Sequence, residues 1–339
     1  MKILVISKRS PAPGYFWKFE DLSKHPGFQI RVLTPSLIQD FREGFKFYPD
    51  IIWVDEEPYC FTVTKWLILK KFFMPWSHVI ASANDNFFRQ SSSIQKGIEK
   101  FNYQNLSGIL SNGKTVVDNL LRKRFSGKIL EVSGLNLNRE LQPSKGEIDA
   151  KNLKESLGLQ FKVVGYFGPL LPERGLEWLL RSVAKIPLNL SLLFIGNGPQ
   201  EFALRQWSLQ LGIDSRLKII PDADDSDFLK YYKAMDVLVL PSISTPKWRE
   251  PFSGVVLEAM KIGLPVIASK SGEIPNEVGD GGILISEGDE PALSEALTKV
   301  LKDDAFRAEL ILKGKAQAAS MNPQKTVDLV ADFFESIAK

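Results

Sequence analysis

Two glutamates eight residues apart, Glu250 and Glu258, bracket the segment Glu-Pro-Phe-Ser-Gly-Val-Val-Leu-Glu. Just upstream, Asp-Val-Leu-Val-Leu-Pro-Ser (236–242) reads as a buried strand that ends at Pro241-Ser242 and opens into a loop. The pattern then predicts a helix that starts near Ser253, a good N-cap, and closes at Gly263. Backbone N–H groups of Ser253, Gly254 and Val255 would be unpaired at such a helix start, where the helix dipole favours negative charge. Gly254 permits close approach, so the segment is suited to a phosphate. The two carboxylates flanking it suit the hydroxyl groups of a sugar and a ribose, because an ionised carboxylate is a strong acceptor for hydroxyl donors. Glutamates at this spacing are common on solvated surfaces. Against that stand the apolar neighbours Phe252, Val255, Val256, Leu257, Ala259 and Met260, which place Glu258 on a largely buried helix where it needs a partner.

Other residues carry weaker chemistry. Arg174, between Pro172 and Gly175 in a loop leading from strand to helix, is placed to meet an anion, and bidentately. The Gly-Asn-Gly at 196–198 is no more than a turn after a strand. Asp55, Glu56 and Glu57 close a strand, a position that suits contact with an acceptor. Asp222, Asp224, Asp225 and Asp227 cluster in one loop and read as solvated. Hard cations need ligands that converge from several directions, so no metal site is expected. The two histidines, His25 and His78, are read as structural, and Cys60 is the single cysteine, which excludes an internal disulfide and suits a reducing compartment.

The elements that must position these residues form two series of short β-branched apolar runs. The first is 2–7, 29–34, 50–54, 78–83, 108–112 and 128–133; the second is 162–168, 190–196, 216–221, 236–242, 265–269 and 282–286. Continuous rather than alternating apolarity marks strands buried on both faces, as in parallel sheets. Intervening segments such as 175–186 and 202–212 carry helical spacing. The expected fold class is therefore α/β, with two doubly wound Rossmann-like domains whose ligands lie at the carboxyl ends of the strands. Two domains also fit 339 residues. We expect a first domain over 1–145 and a second over 150–322, joined in the polar stretch 141–152. The final helix (323–339), after Asn322-Pro323, is expected to return to the first domain.

The net charge of +3 conceals an asymmetry. Residues 1–145 hold 21 basic and 13 acidic residues, and the remainder hold 22 and 27. A basic first half points to an anionic partner such as a phospholipid surface or an acidic acceptor, although a solvated surface accounts for it equally. Nucleic acid is not expected, because the basic residues are dispersed and no binding motif accompanies them. The aromatic-basic stretches 15–19, 65–76 and 122–125 suit peripheral contact with an anionic membrane, but burial in core helices explains the same aromatics and is preferred here. The N-terminus lacks the apolar length of a signal peptide, and lysines interrupt the apolar runs. A cytoplasmic protein, at most peripheral at the inner face of a membrane, is expected.

The run EPFSGVVLEAMKIGLPVIAS resembles the donor-site motif of family 4 (group 1) retaining glycosyltransferases, the Glu-x7-Glu enzymes of the GT-B fold. The likeness extends to 167–180, 194–201, 231–242 and 281–289, and more loosely to 54–59, 109–114 and 132–143. It implies two domains facing each other across a cleft, the first on the acceptor side and the second binding a nucleoside diphosphate sugar, UDP- or GDP-linked, with no cofactor or metal. It implies that Glu250 contacts the transferred hexose and Glu258 the ribose. Phe252, Ser253, Gly254 and Val255 would hold the sugar and the distal phosphate, and Gly14, in the turn after the first strand, would approach the phosphates. Arg174 takes the place of the second cation of the family's diphosphate clamp, whereas Pro169 stands where the first, an arginine, is usual. Asn84 occupies the zone of a frequent histidine, so a histidine base is disfavoured; with Glu57 it is the acceptor-side candidate. The implied activity is hexosyl transfer with retention to a sugar, lipid-linked or other small acceptor, in polysaccharide, glycolipid or glycoconjugate synthesis. A non-catalytic nucleotide-sugar-binding subunit and a sugar-nucleotide epimerase or phosphorylase of the same fold are the alternatives. An NAD-dependent dehydrogenase would need Gly-x-Gly-x-x-Gly after the first strand, where the chain reads SKRSPAPG.

Overall fold

The computed structural model describes residues 1–7, 22–33, 39–86, 92–132, 150–221, 223, 228–252, 254–321 and 323–339. The chain divides into two compact units, Met1–Arg139 with Asn322–Lys339, and Glu140–Met321. The stretch 141–149 lies outside the described residues.

In the first unit, β1 (Lys2–Ile6), β2 (Gln29–Leu33), β3 (Ile51–Val54), β4 (His78–Ala83), β5 (Gly108–Ser111) and β6 (Lys128–Glu131) form one sheet in the order β2-β1-β3-β4-β5-β6. Every pairing is parallel. Because side chains alternate across a strand, Ile3, Val5, Ile51 and Trp53 face one layer while Leu4, Ile6, Ile52 and Val54 face the other. The first layer includes Val330, Phe333 and Phe334 of the terminal helix Pro323–Ala338, and the second includes Val63, Trp66 and Leu67 of the helix Phe61–Phe73. Covering both faces is what made the inner strands β1, β3, β4 and β5 read as unbroken apolar runs, whereas the edge strands β2 and β6 carry exposed polar residues.

In the second unit, β7 (Lys162–Phe167), β8 (Leu190–Ile195), β9 (Leu217–Ile220), β10 (Val237–Leu240), β11 (Val266–Ser269) and β12 (Ile283–Ile285) are likewise parallel, in the order β12-β11-β10-β7-β8-β9. The order reverses between the neighbours β7 and β10, so the loops leaving their carboxyl ends part company and open a crevice there. The first sheet reverses between β1 and β3.

Two expectations are corrected. The helix after β10 is Val255–Lys261, and its N-cap is Gly254 with φ 76°, not Ser253, which lies outside the described residues. A left-handed backbone is the physical reason: a serine cap takes extended φ, whereas this turn needs the glycine. The aromatics of 65–76 are also not all core. Trp66, Leu67 and Met74 are buried, but Ile68, Phe72, Phe73 and Trp76 are exposed, as is Phe61 at the start of the same helix. Phe125 of the stretch 122–125 is buried, and 15–19 lies outside the described residues.

Candidate active site

The crevice of the second sheet is built by loop-to-loop contacts that demand glycine. After β7 the chain makes a short 3-10 turn, Pro172–Arg174, capped by Gly175 at φ 65°. A Cβ on Gly175 would sit 2.1 Å from the Pro241 carbonyl at the exit of β10, and the Ile243 N–H donates to the Glu173 carbonyl at 2.8 Å. Beyond β11, Gly272 at φ 52° lies so close to Glu250 that a Cβ would sit 2.0 Å from its carbonyl oxygen. The same carbonyl accepts from the Glu273 N–H at 2.9 Å. Loops from three strands thus clamp Glu250 and Arg174 together.

Glu250 is fully buried, and the Arg174 guanidinium donates through Nη1 to both of its carboxylate oxygens. The Ser242 hydroxyl, at the end of β10, donates to Oε2 of the same carboxylate. Trp248, on a tight turn closed by Thr245–Trp248 backbone bonds, covers the guanidinium at 5.1 Å from its ring centre. Arg174 is largely buried, and its Nε–H has no acceptor among the described residues. Burial works against the charge of Arg174, but Glu250 outweighs it and drives the guanidinium above its ordinary pKa. Beneath the pair, burial pushes the Tyr166 phenol far above its usual range, with Arg174 opposing and Glu250 adding; its hydroxyl donates to the Pro169 carbonyl at 2.8 Å. A neutral phenol therefore lies behind the ion pair.

Glu258 differs from Glu250. It is half-buried rather than buried, one turn into the helix, and accepts from the Tyr232 hydroxyl at 2.9 Å. Tyr232 is held by stacking on Phe167, ring centres 4.9 Å apart. Phe252 and Gly254 are buried and Val255 half-buried at the helix start. Beside them a cavity of about 290 Å³ lies at the ends of β7, β8 and β9, lined by residues including Gly168, Pro169, Gly196, Asn197, Pro221 and Phe228. Ser244 and Ser271 brace the far side, the Ser244 N–H and hydroxyl donating to Glu287 at 2.7 and 2.6 Å.

The first unit has its own polar edge. Asp55, at the end of β3, accepts from the hydroxyls of Ser7 (3.1 Å) and Ser82 (2.9 Å), at the ends of β1 and β4. Glu57 accepts from the backbone N–H groups of Asn84 (2.6 Å) and Asp85 (3.1 Å), so the two acceptor-side candidates, Glu57 and Asn84, meet. Asp85 in turn accepts from the Tyr59 hydroxyl at 2.9 Å. Burial, and then the Asp85 charge, push the Glu57 carboxyl up to about 8 despite those backbone donors.

Both histidines have local partners. His78 bonds Ser107 at 3.2 Å, with its pKa lowered by burial, Lys70 and Lys128, and His25 packs on Phe28. Gly14, Ser253, Asp222, Asp224, Asp225 and Asp227 lie outside the described residues. Among the described residues no group of three or more His, Cys, Asp or Glu is arranged to hold a metal ion. Ser242, Tyr166, Trp248 and Tyr59 were not picked out from sequence. Trp248 lies in the Lys-Trp-Arg that leads into Glu250, which was the available signal.

Residues 148–317, half of the chain, match the model of the family described as glycosyl transferases group 1. The chain belongs to that family. The D-inositol 3-phosphate glycosyltransferase of Corynebacterium efficiens is 31% identical over 164 residues, 45% of this chain and 37% of that protein. This chain thus spans well under half of that relative in the match. The enzyme of the same name from Corynebacterium jeikeium aligns over 94% of this chain and 80% of its own length at 24% identity. Among solved structures, Anabaena Alr3699/HepE in complex with UDP-glucose superposes with a TM-score of 0.76 at 19% identity, covering 99% of this chain and 100% of that one. The fold is therefore GT-B.

Proposed function

We propose that the chain transfers a hexosyl unit from a nucleoside diphosphate sugar to an acceptor hydroxyl, with retention of configuration. One observation carries this reading. The Glu250–Arg174 pair sits where the second sheet reverses, beside a helix start that carries the second glutamate of the motif, within the family-matched segment. The second unit would hold the donor, its base in the cavity at Gly168 and Gly196 and its ribose at Glu258. UDP is the favoured nucleotide because HepE is a UDP-glucose complex; GDP is the other candidate.

Donor entry would exchange partners. The diphosphate takes the Arg174 guanidinium, and the carboxylate of Glu250 that it releases accepts from the hexose hydroxyls. As the bond from the anomeric carbon to the diphosphate breaks, negative charge grows on the leaving oxygen, where Arg174 and backbone N–H groups near Gly254 stabilise it. The acceptor oxygen forms the new bond, and its proton passes to the leaving phosphate. Glu57 and Asn84 of the first unit would position the acceptor, a sugar, lipid-linked or other small molecule in polysaccharide, glycolipid or glycoconjugate synthesis. Positioning supplies much of the remaining acceleration. The single cysteine suits a cytoplasmic location, and no described helix is long and apolar enough to cross a membrane.

A nucleotide-sugar panel tests the reading, with thermal shift for binding and release of UDP or GDP in the presence of acceptor extracts for turnover. No stabilisation by any nucleotide sugar refutes the donor site. Binding without release favours the second reading, a nucleotide-sugar-binding subunit without turnover, which the absence of an arginine at Pro169 supports.

A further inference from the structure

The helix Phe61–Phe73 buries Val63, Trp66 and Leu67 against the first sheet, yet its opposite face is not polar. At 3.6 residues per turn, Phe61, Lys65, Ile68 and Phe72 line one outward stripe. Phe61 is 69%, Ile68 43% and Phe72 71% exposed. Phe73 (47%) and Trp76 (36%) extend the apolar surface past the helix end, where Trp76 stacks on the exposed Tyr48 at 4.0 Å. A helix apolar nearly all round does not belong in water; it needs a second apolar medium on its outer side.

The charge around this stripe says which medium. Lys65 lies within it and Lys71 borders it, and no acidic residue occurs from Pro58 to Asn84. Among the described residues none of these lysines is in an ion pair. Interfaces with other proteins are depleted in lysine at their centres, whereas helices at a lipid headgroup boundary set Phe and Trp beside Lys. Thirteen residues are too few to cross a bilayer, so such a helix can only lie along its surface. We propose that this face docks on an anionic phospholipid surface, with the rings and Ile68 at the acyl boundary and the ammonium groups of Lys65 and Lys71 at lipid phosphates. The proposal is independent of the transferase reading.

Co-sedimentation of the full chain with vesicles tests it. The chain should sediment with vesicles of phosphatidylcholine and phosphatidylglycerol in roughly equal parts, and not with pure phosphatidylcholine. Lys65→Ala with Lys71→Ala should weaken binding about thirtyfold, at about fivefold per lysine. Phe61→Ser with Phe72→Ser should weaken it about tenfold or more, with no recovery on lowering the salt. Phe61, Lys71 and Phe72 are exposed and Lys65 is half-buried, so these side chains can be changed while the parent's thermal transition is kept, and that transition is measured alongside. No sedimentation with the anionic vesicles even at low salt overturns the proposal, as does parental binding by the Phe61→Ser/Phe72→Ser chain. So does a parent dimer in sedimentation velocity that this variant dissolves without any vesicle binding, which would make the face a contact between copies.

Discussion

Breaking the Arg174–Glu250 pair should destabilise the second unit as well as abolish transfer. The Glu250 carboxylate is fully buried and the Arg174 side chain only 13% exposed. Neither can turn to water when its partner is removed. Glu250→Gln keeps an acceptor for Ser242 but strands a guanidinium whose Nε–H already lacks an acceptor among the described residues. Arg174→Met takes the guanidinium away from a buried carboxylate that the Ser242 hydroxyl also meets. Removing one member of a buried pair costs about 3–5 kcal/mol, whereas replacing both with groups of similar volume is close to neutral. For a unit of this size that corresponds to a loss of roughly 6–20 °C in the melting temperature of each single variant. The double variant Arg174→Met/Glu250→Gln should recover most of that loss. Calorimetry that resolves the second unit's transition gives the cycle, and UDP or GDP release gives activity, which should be absent in all three. Single variants melting within about 2 °C of the parent, or a double variant as unstable as the sum of the singles, would refute the description of the pair as buried and mutually dependent.

Three further outcomes follow from the geometry. Glu57 binds its proton more tightly in the folded than in the unfolded chain, so stability should fall as pH rises from its ordinary range toward about 8. Glu57→Gln should remove that slope, on the order of 2–3 kcal/mol across the window after allowance for partial exposure, as urea unfolding at several pH values would show; an unchanged slope argues against the raised Glu57 carboxyl. Gly272→Ala should lower the second unit's melting temperature and the affinity for donor together, because its Cβ meets the Glu250 carbonyl at 2.0 Å in a left-handed backbone; parental donor affinity in a folded variant would count against the clamp. Tyr232→Phe should weaken nucleotide binding by about 0.5–1.5 kcal/mol with little effect on turnover at saturating donor; calorimetric titration with UDP checks it, and an unchanged affinity would detach Glu258 from the ribose.

Much of this molecule was legible in the chain. The twelve strands among the described residues lie where the apolar runs put them, most legibly the inner ones, because a strand covered on both faces must be apolar at successive positions, a signal that needs no tertiary knowledge. Glu250, Arg174 and the glycine at 254 were also visible, since loop chemistry and helix starts are local. Pairing was not. Glu250 and Arg174 are 76 residues apart, and only the adjacency of β10 and β7 makes each the other's counter-ion rather than two groups awaiting a ligand. The same adjacency separates the glutamates of one motif, burying Glu250 entirely and leaving Glu258 half open beside Tyr232. Nor could composition say which face of the helix Phe61–Phe73 met the sheet: both faces are apolar, and only packing decided that Phe61, Ile68 and Phe72 stay outside. Periodicity and local propensity travel along the chain, whereas counter-ions, buried protons and exposed faces depend on which strands become neighbours.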